Sequence, residues 1–283
     1  MDTLDQYRSS LKNSPIAASS QRIYIAKVSA YLDWLKQSDV DGDPLSDPAA
    51  RDWAVRDYRS KLKTDKRAAS TINTTLAAID DLYRVLGLGR AKVKRESMPQ
   101  LAPKALEPGD QKKFLRALEK AKTRDRLIGE LGFYAGLRVS EIVGLDRSDV
   151  SLSARLGSIT VWHGKGDKAR TLPLHPAIKM TLHLWLKERQ SDAPALIVNR
   201  LGDRLSTRAV TTIIGQIGEQ AGLEVTPHQL RHCYATNMVR NGTDLVLVAD
   251  LLGHANLETT RRYSLPTNQN KLDAMIESLP VDL

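Results

Sequence analysis

The sequence predicts a mainly α-helical fold with one small β-hairpin, divided into two domains. Three observations carry this expectation. Apolar residues recur at helical spacing up to Leu86 and again beyond residue 105. The period changes to two only between residues 158 and 174. A basic, proline-containing stretch separates the two helical parts. At 283 residues the chain exceeds one usual domain and has room for two cores.

With Ser20 as N-cap, Tyr24, Val28, Tyr31, Leu32 and Leu35 line one face of a first helix. Asp47 and Pro48 form the N-cap and first-turn pair of a second, which carries Val55, Tyr58 and Leu62. A third follows Ser70, with Ile72, Leu76, Ile79, Tyr83 and Leu86 as its stripe and Gly87 and Gly89 as its end. The tyrosines sit on these stripes, so they are expected in a core and not as platforms for stacked bases. Residues 1–89 are therefore the expected first domain.

Residues 90–104 read as an interdomain linker. Its charges, among them Arg90, Lys92, Lys94, Arg95 and Lys104, suit either solvation or a path along a phosphate backbone, and the first four are candidate DNA contacts. The expected second domain, 105–283, opens with helical stripes of Phe114, Leu118 and Ala121, then Leu127, Ile128, Leu131 and Tyr134. Ser158–Trp162 and Arg170–Leu174 are extended and flank a glycine-rich tip, Gly164-Lys-Gly-Asp167, which makes a β-hairpin. Helical patterns resume near Pro176 and run to the end, where Leu272, Met275, Ile276 and Leu279 form a last stripe.

A net charge of +9 and a pI near 9.6 point to a polyanionic partner, nucleic acid first. No run approaches the roughly 18 apolar residues that span a bilayer, and Met1 to Ser20 lacks the apolar core of a secretion signal. A cytoplasmic protein is expected. Its single cysteine, Cys233, excludes an internal disulfide.

Several polar residues stand where packing does not ask for them. Arg138 follows Gly136-Leu137 at a junction between helical patterns, where its planar fork can face a phosphate. Lys165 stands between two glycines at the hairpin tip. On a helix opening at Pro227, His228 and Arg231 lie three apart on one face. His228 and His232 have the spacing of a helical metal pair, but the residues between them lack the glutamate of the zinc-protease motif and include a cation-repelling arginine, so no metal is expected. His254 closes a helical stretch, and Tyr263 follows nine positions later beside Arg261 and Arg262. Two arginines, two histidines, a lysine and a tyrosine meet the needs of metal-free phosphoryl transfer: charge on a phosphorane, an acid for the leaving oxygen and a covalent nucleophile.

In that order and spacing the chain resembles the tyrosine recombinase family of phage integrases, Xer-like resolvases and Cre-like enzymes. Gly136-Leu-Arg-Val-Ser-Glu-Ile-Val-Gly-Leu145 is similar to the first arginine box, and Gly164-Lys-Gly-Asp-Lys-Ala-Arg-Thr-Leu-Pro-Leu174 to the lysine hairpin. His228–Thr236 resembles the second box, and Leu251–Tyr263 the third histidine with its tyrosine. The resemblance implies a helical core-binding domain joined to a catalytic domain. It also implies that Tyr263 attacks the scissile phosphate to leave a 3′-phosphotyrosyl bond and a 5′-hydroxyl, without ATP or any cofactor. Arg138 and Arg231 would clamp the non-bridging oxygens, Lys165 would protonate the leaving oxygen, and His228 would exchange a proton with the tyrosine. His254 would support the phosphate, and Glu141, one turn past Arg138, would help position the site. Double-stranded DNA carrying specific sites, bound by a dimer per site and a homotetramer across a Holliday junction, would be the substrate, with a partner recombinase or accessory protein as a further possibility. Two rival readings share these residues: relaxation of DNA by a type IB topoisomerase-like monomer, and a DNA-binding regulator that keeps the fold without cutting.

Overall fold

The computed structural model describes residues 2–16, 18–98, 105–153, 157–162, 169–253 and 260. The chain falls into two compact units, Met1–Pro99 and Gln100–Leu283.

The first unit holds α1 (Thr3–Lys12), α2 (Ala18–Gln37), α3 (Pro48–Thr64) and α4 (Ala69–Val85). Its core is built from the predicted stripes, including Val28, Tyr31, Val55, Tyr58, Ile72, Leu76, Ile79 and Tyr83. Buried tyrosine hydroxyls need partners. Tyr31 and Tyr83 supply each other's at 2.7 Å, and Tyr7 donates to Asp81 at 3.0 Å. Asp47 caps α3 as expected, accepting from the backbone N–H groups of Ala49 and Ala50. Two starts differ from expectation. α2 begins at Ala18, which puts Ser20 inside its first turn, and α4 begins at Ala69 after an Ala68 that offers no side-chain cap. The start of the chain, to which no helix was assigned, forms α1, with Tyr7 and Leu11 buried one turn apart.

The expected linker is corrected in its first part, because residues through Met98 belong to the first unit. Ala91 and Val93 pack against the core while Arg90, Lys92 and Lys94 are exposed, the alternation of an extended segment with one apolar face. Asn73 brackets Glu96, donating to its carbonyl at 2.9 Å and accepting from its N–H at 2.8 Å. Arg59 binds the Glu96 carboxylate at 2.6 Å. Arg95 pairs its side chain with Asp80 at 2.5 Å, and the Lys92 backbone N–H donates to the Asp52 carboxylate at 3.1 Å. Lys104 lies outside the described residues.

The second unit holds α5 (Pro108–Glu119), α6 (Thr123–Tyr134), α7 (Val139–Gly144), β1 (Val150–Ser151), β2 (Ser158–Trp162), β3 (Ala169–Pro173), α8 (Pro176–Glu188), α9 (Thr207–Gln220), α10 (Pro227–Arg240) and α11 (Leu245–Leu252). α6 is the central helix: Leu127, Ile128 and Leu131 are fully buried, and α5, α8, α9 and α10 pack around it. The predicted hairpin pairs antiparallel with Ile159 opposite Leu172 and Val161 opposite Arg170, and β1 adds a short third strand on the β2 edge. Helix does not run unbroken from Pro176. Residues 189–206 form a non-helical connection bridged at Asp146–Ala195 and Val198–Arg204. The hairpin tip with Lys165, the segment with His254 and Tyr263, and the stripe Leu272–Leu279 lie outside the described residues. Among the described residues no helix is long and apolar enough to cross a membrane.

Candidate active site

The second unit brings the start of α7, the start of α10 and the end of α11 to one place, and each terminus is held by local chemistry. α10 opens on a capping box: the Thr226 hydroxyl accepts from the Gln229 N–H at 3.3 Å, and the Gln229 side chain accepts from the Thr226 N–H at 2.9 Å. With Pro227 in the first turn, this fixes the register that points His228 and Arg231 the same way. α11 is capped by the Asp244 carboxylate at its start and stops at Gly253, whose φ of +64° is the left-handed C-cap that glycine adopts freely.

Arginines satisfy the carbonyls at the end of α11. Arg231 donates to the Leu252 carbonyl at 2.7 Å and to that of Gly136 at 2.5 Å. Arg138 donates at 3.4 Å to the carbonyls of both Leu252 and Gly253. Arg170 donates through Nε to the Leu251 carbonyl at 2.9 Å. Three cations thus meet the negative end of a helix dipole. Gly136 makes the approach possible. Its φ is +61°, and a Cβ there would lie 2.6 Å from Cδ1 of Tyr234.

The same arginines converge on Glu141, which is buried. Arg138 donates to it through its backbone N–H and its Nη1, both at 2.8 Å. Arg170 grips both carboxylate oxygens at 2.9 Å, and Arg231 Nη1 lies 3.8 Å away. Burial alone would push this carboxyl up, but the hydrogen bonds and charges of Arg170 and Arg138 outweigh it and bring its pKa down to about 2. Arg231 is buried, whereas the Arg138 side chain is 40 % exposed and faces solvent. At the open edge stands His228, exposed on the first turn of α10 and in edge-to-face contact with His232 at 4.1 Å between ring centroids. Partial desolvation, then the nearby charges of Arg231 and Arg138, lower its pKa below the ordinary imidazole value of 6.5. The ring is therefore neutral at neutral pH and able to accept a proton. Among the described residues no three His, Cys, Asp or Glu side chains gather as a metal site.

Arg138, Glu141, His228 and Arg231 are thus brought together as one cluster, and Arg170 joins them unforeseen. Its signal was present in the strand alternation, since Arg170 falls two residues before the core residue Leu172 and so on the same inward face. Lys165, His254 and Tyr263 lie outside the described residues.

Residues 104–270 match the sequence profile described as Phage integrase family. The tyrosine recombinase XerA of Pyrococcus furiosus is 35 % identical over 233 residues, which is 81 % of this chain and 80 % of that protein. This chain belongs to the phage integrase family of tyrosine recombinases. The recombinase is accordingly an enzyme that cuts and rejoins DNA strands. Its fold matches the crystal structure of the XerH site-specific recombinase bound to difH substrate, with a TM-score of 0.73, 22 % identity and coverage of 97 % of this chain and 84 % of that one. It also matches a lambda integrase dimer bound to a core site, with a TM-score of 0.70, 19 % identity and coverage of 92 % and 93 %.

Proposed function

We propose that this recombinase acts at specific duplex sites through a covalent bond between Tyr263 and the 3′-phosphate at the cut, in the manner of an Xer-type resolvase or integrase. The observation that carries the reading is the convergence of Arg138 and Arg231 on the Leu252 carbonyl beside a neutral His228. A half-exposed Arg138 and a buried Arg231 beside one carboxylate suit the non-bridging oxygens of one phosphodiester. His228 takes the proton of the Tyr263 hydroxyl as it attacks, the phosphate–5′-oxygen bond breaks, and Lys165 protonates the leaving oxygen. His254 supports the phosphate. The phosphotyrosyl ester conserves the bond for rejoining, so neither ATP nor a metal is consumed. The roles of Lys165, His254 and Tyr263 come from the family resemblance of their motifs.

The exposed Arg90, Lys92 and Lys94 along the first unit are proposed DNA-backbone contacts, with Arg95 shared between Asp80 and phosphate. A dimer on each site, as in the lambda integrase dimer bound to its core site, and a tetramer joining two sites complete the proposal. The test is incubation with nicked suicide duplexes bearing candidate sites, comparing wild type with Tyr263→Phe on a denaturing gel. A protein–DNA adduct in wild type alone, with chelator present and ATP absent, is expected. Tight binding without an adduct on any substrate would favour a non-cutting regulator.

A further inference from the structure

We propose that Arg170 is a positioning residue of the cleavage site, one that neutralises Glu141 and anchors the end of α11 so that Arg138 and Arg231 remain available to the phosphate. The inference rests on the reading of this cluster as the recombination centre and adds a residue that reading does not use.

The placement of Arg170 is unusual for its type. It occupies an inward position of β3, between Val161 across the strand pair and Leu172 two residues on, and is 8 % exposed. An apolar side chain would satisfy that face, and a charge is normally kept from it. The guanidinium forms two parallel bonds to the Glu141 carboxylate, both at 2.9 Å, and turns its remaining Nε–H to the Leu251 carbonyl at 2.9 Å. A planar fork can make these three bonds together, whereas a lysine ammonium cannot span them.

The charge balance shows what the arrangement accomplishes. Glu141 is faced by Arg138 at the start of α7, Arg170 on β3 and Arg231 on α10, while α11 presents backbone carbonyls. Among the described residues, three guanidiniums and one carboxylate leave two positive charges to face the negative charge of a phosphorane. Without Arg170 the carboxylate would draw on Arg138 and Arg231 alone, the two groups that must serve the phosphate. Arg170 also holds the Leu251 carbonyl in the last turn of α11, next to the Leu252 carbonyl that Arg138 and Arg231 share.

The experiment measures single-turnover adduct formation on a nicked suicide duplex at saturating protein, and DNA affinity by gel shift, from pH 5 to 9. Wild type, Arg170→Lys, Arg170→Ala, Glu141→Gln and the Arg170→Ala/Glu141→Gln double variant are compared, with circular dichroism to confirm folding. Arg170→Ala is expected to slow the saturated rate by about a hundredfold, the effect of a displacement on the order of 1 Å in a reacting geometry, with little change in affinity. Arg170→Lys should recover only a small part. The deficit of Arg170→Ala should narrow toward acid pH relative to wild type, because Glu141 becomes easier to protonate and its neutral carboxyl no longer competes for Arg138 and Arg231. The double variant should be faster than Arg170→Ala, because a neutral amide no longer competes for Arg138 and Arg231. A wild-type rate in folded Arg170→Ala, or losses in the double variant that simply multiply, would overturn the inference. If Arg170→Ala does not fold, the folded Arg170→Lys decides it, a wild-type rate overturning the inference and a large loss upholding it. Absence of any adduct with wild type would instead overturn the underlying reading of the site.

Discussion

Glu141 shows how one residue serves both folding and chemistry. Removing it would leave Arg170 and Arg231 buried beside each other with their counter-charge gone, and breaking a buried pair in this way costs about 3–5 kcal/mol. Glu141→Ala is therefore expected to lower the stability of the second unit by that amount in denaturant titration. A loss below about 1 kcal/mol would mean that the network contributes little. The pH dependence has a definite sign. A carboxyl held at about 2 against 4.5 when unfolded stabilises the protein fully above pH 4.5, and this contribution, on the order of 3 kcal/mol, is lost as pH falls from 4.5 through 2. His228 also has a lowered pKa, so its neutral form prevails above the usual imidazole range. The rate of adduct formation should fall with acid along a limb centred below pH 6.5, and His228→Gln should remove that limb while lowering the plateau. A limb unchanged in His228→Gln would assign the proton transfer elsewhere.

Among the elements, α10 and α11 set the geometry through their ends. Thr226→Ala removes the hydroxyl from the capping box and should cost about 1 kcal/mol, seen as a fall in the Tm of the second unit of about 2–4 °C. It should also slow cleavage, because His228 and Arg231 take their direction from that first turn. A lowered Tm with an unchanged rate would show that tertiary contacts alone orient them. Element scale is also where the sequence was partly legible. The α3 cap at Asp47, the stripes of α4 and α6, the hairpin and the shared face of His228 and Arg231 could all be read, because each rests on local periodicity or a cap, whereas Arg138 was joined to them only through the needs of phosphoryl transfer and the family resemblance. α1 was missed although Leu4, Tyr7 and Leu11 stand at helical spacing, because one short stripe among polar residues is a weak signal without the helices that bury it. Residues 90–98 were taken for linker because their charges hid the inward alternation of Ala91 and Val93. Arg170 was passed over because a cation on a core-facing strand position becomes intelligible only once Glu141, 29 residues away in sequence, is seen opposite it.

For the whole molecule, the basic excess is spread over both units, with 17 basic against 13 acidic residues in 1–99 and 25 against 20 in 100–283. DNA affinity should then fall steeply with salt. Neutralising five or more phosphates gives a slope of log K against log salt of about −4 or steeper, and a slope shallower than about −2 would indicate contact from one small patch only. The central claim, however, is covalent, and it is tested most directly by mapping the bond. The adduct trapped on a suicide duplex would be digested with trypsin and nuclease and analysed by mass spectrometry. Cleavage after Arg262 and Lys271 isolates Tyr263 on a peptide of residues 263–271 that contains no other tyrosine. Nucleotide mass on that peptide is the predicted result. Nucleotide mass on any other peptide, or an adduct that persists in Tyr263→Phe, would contradict the account.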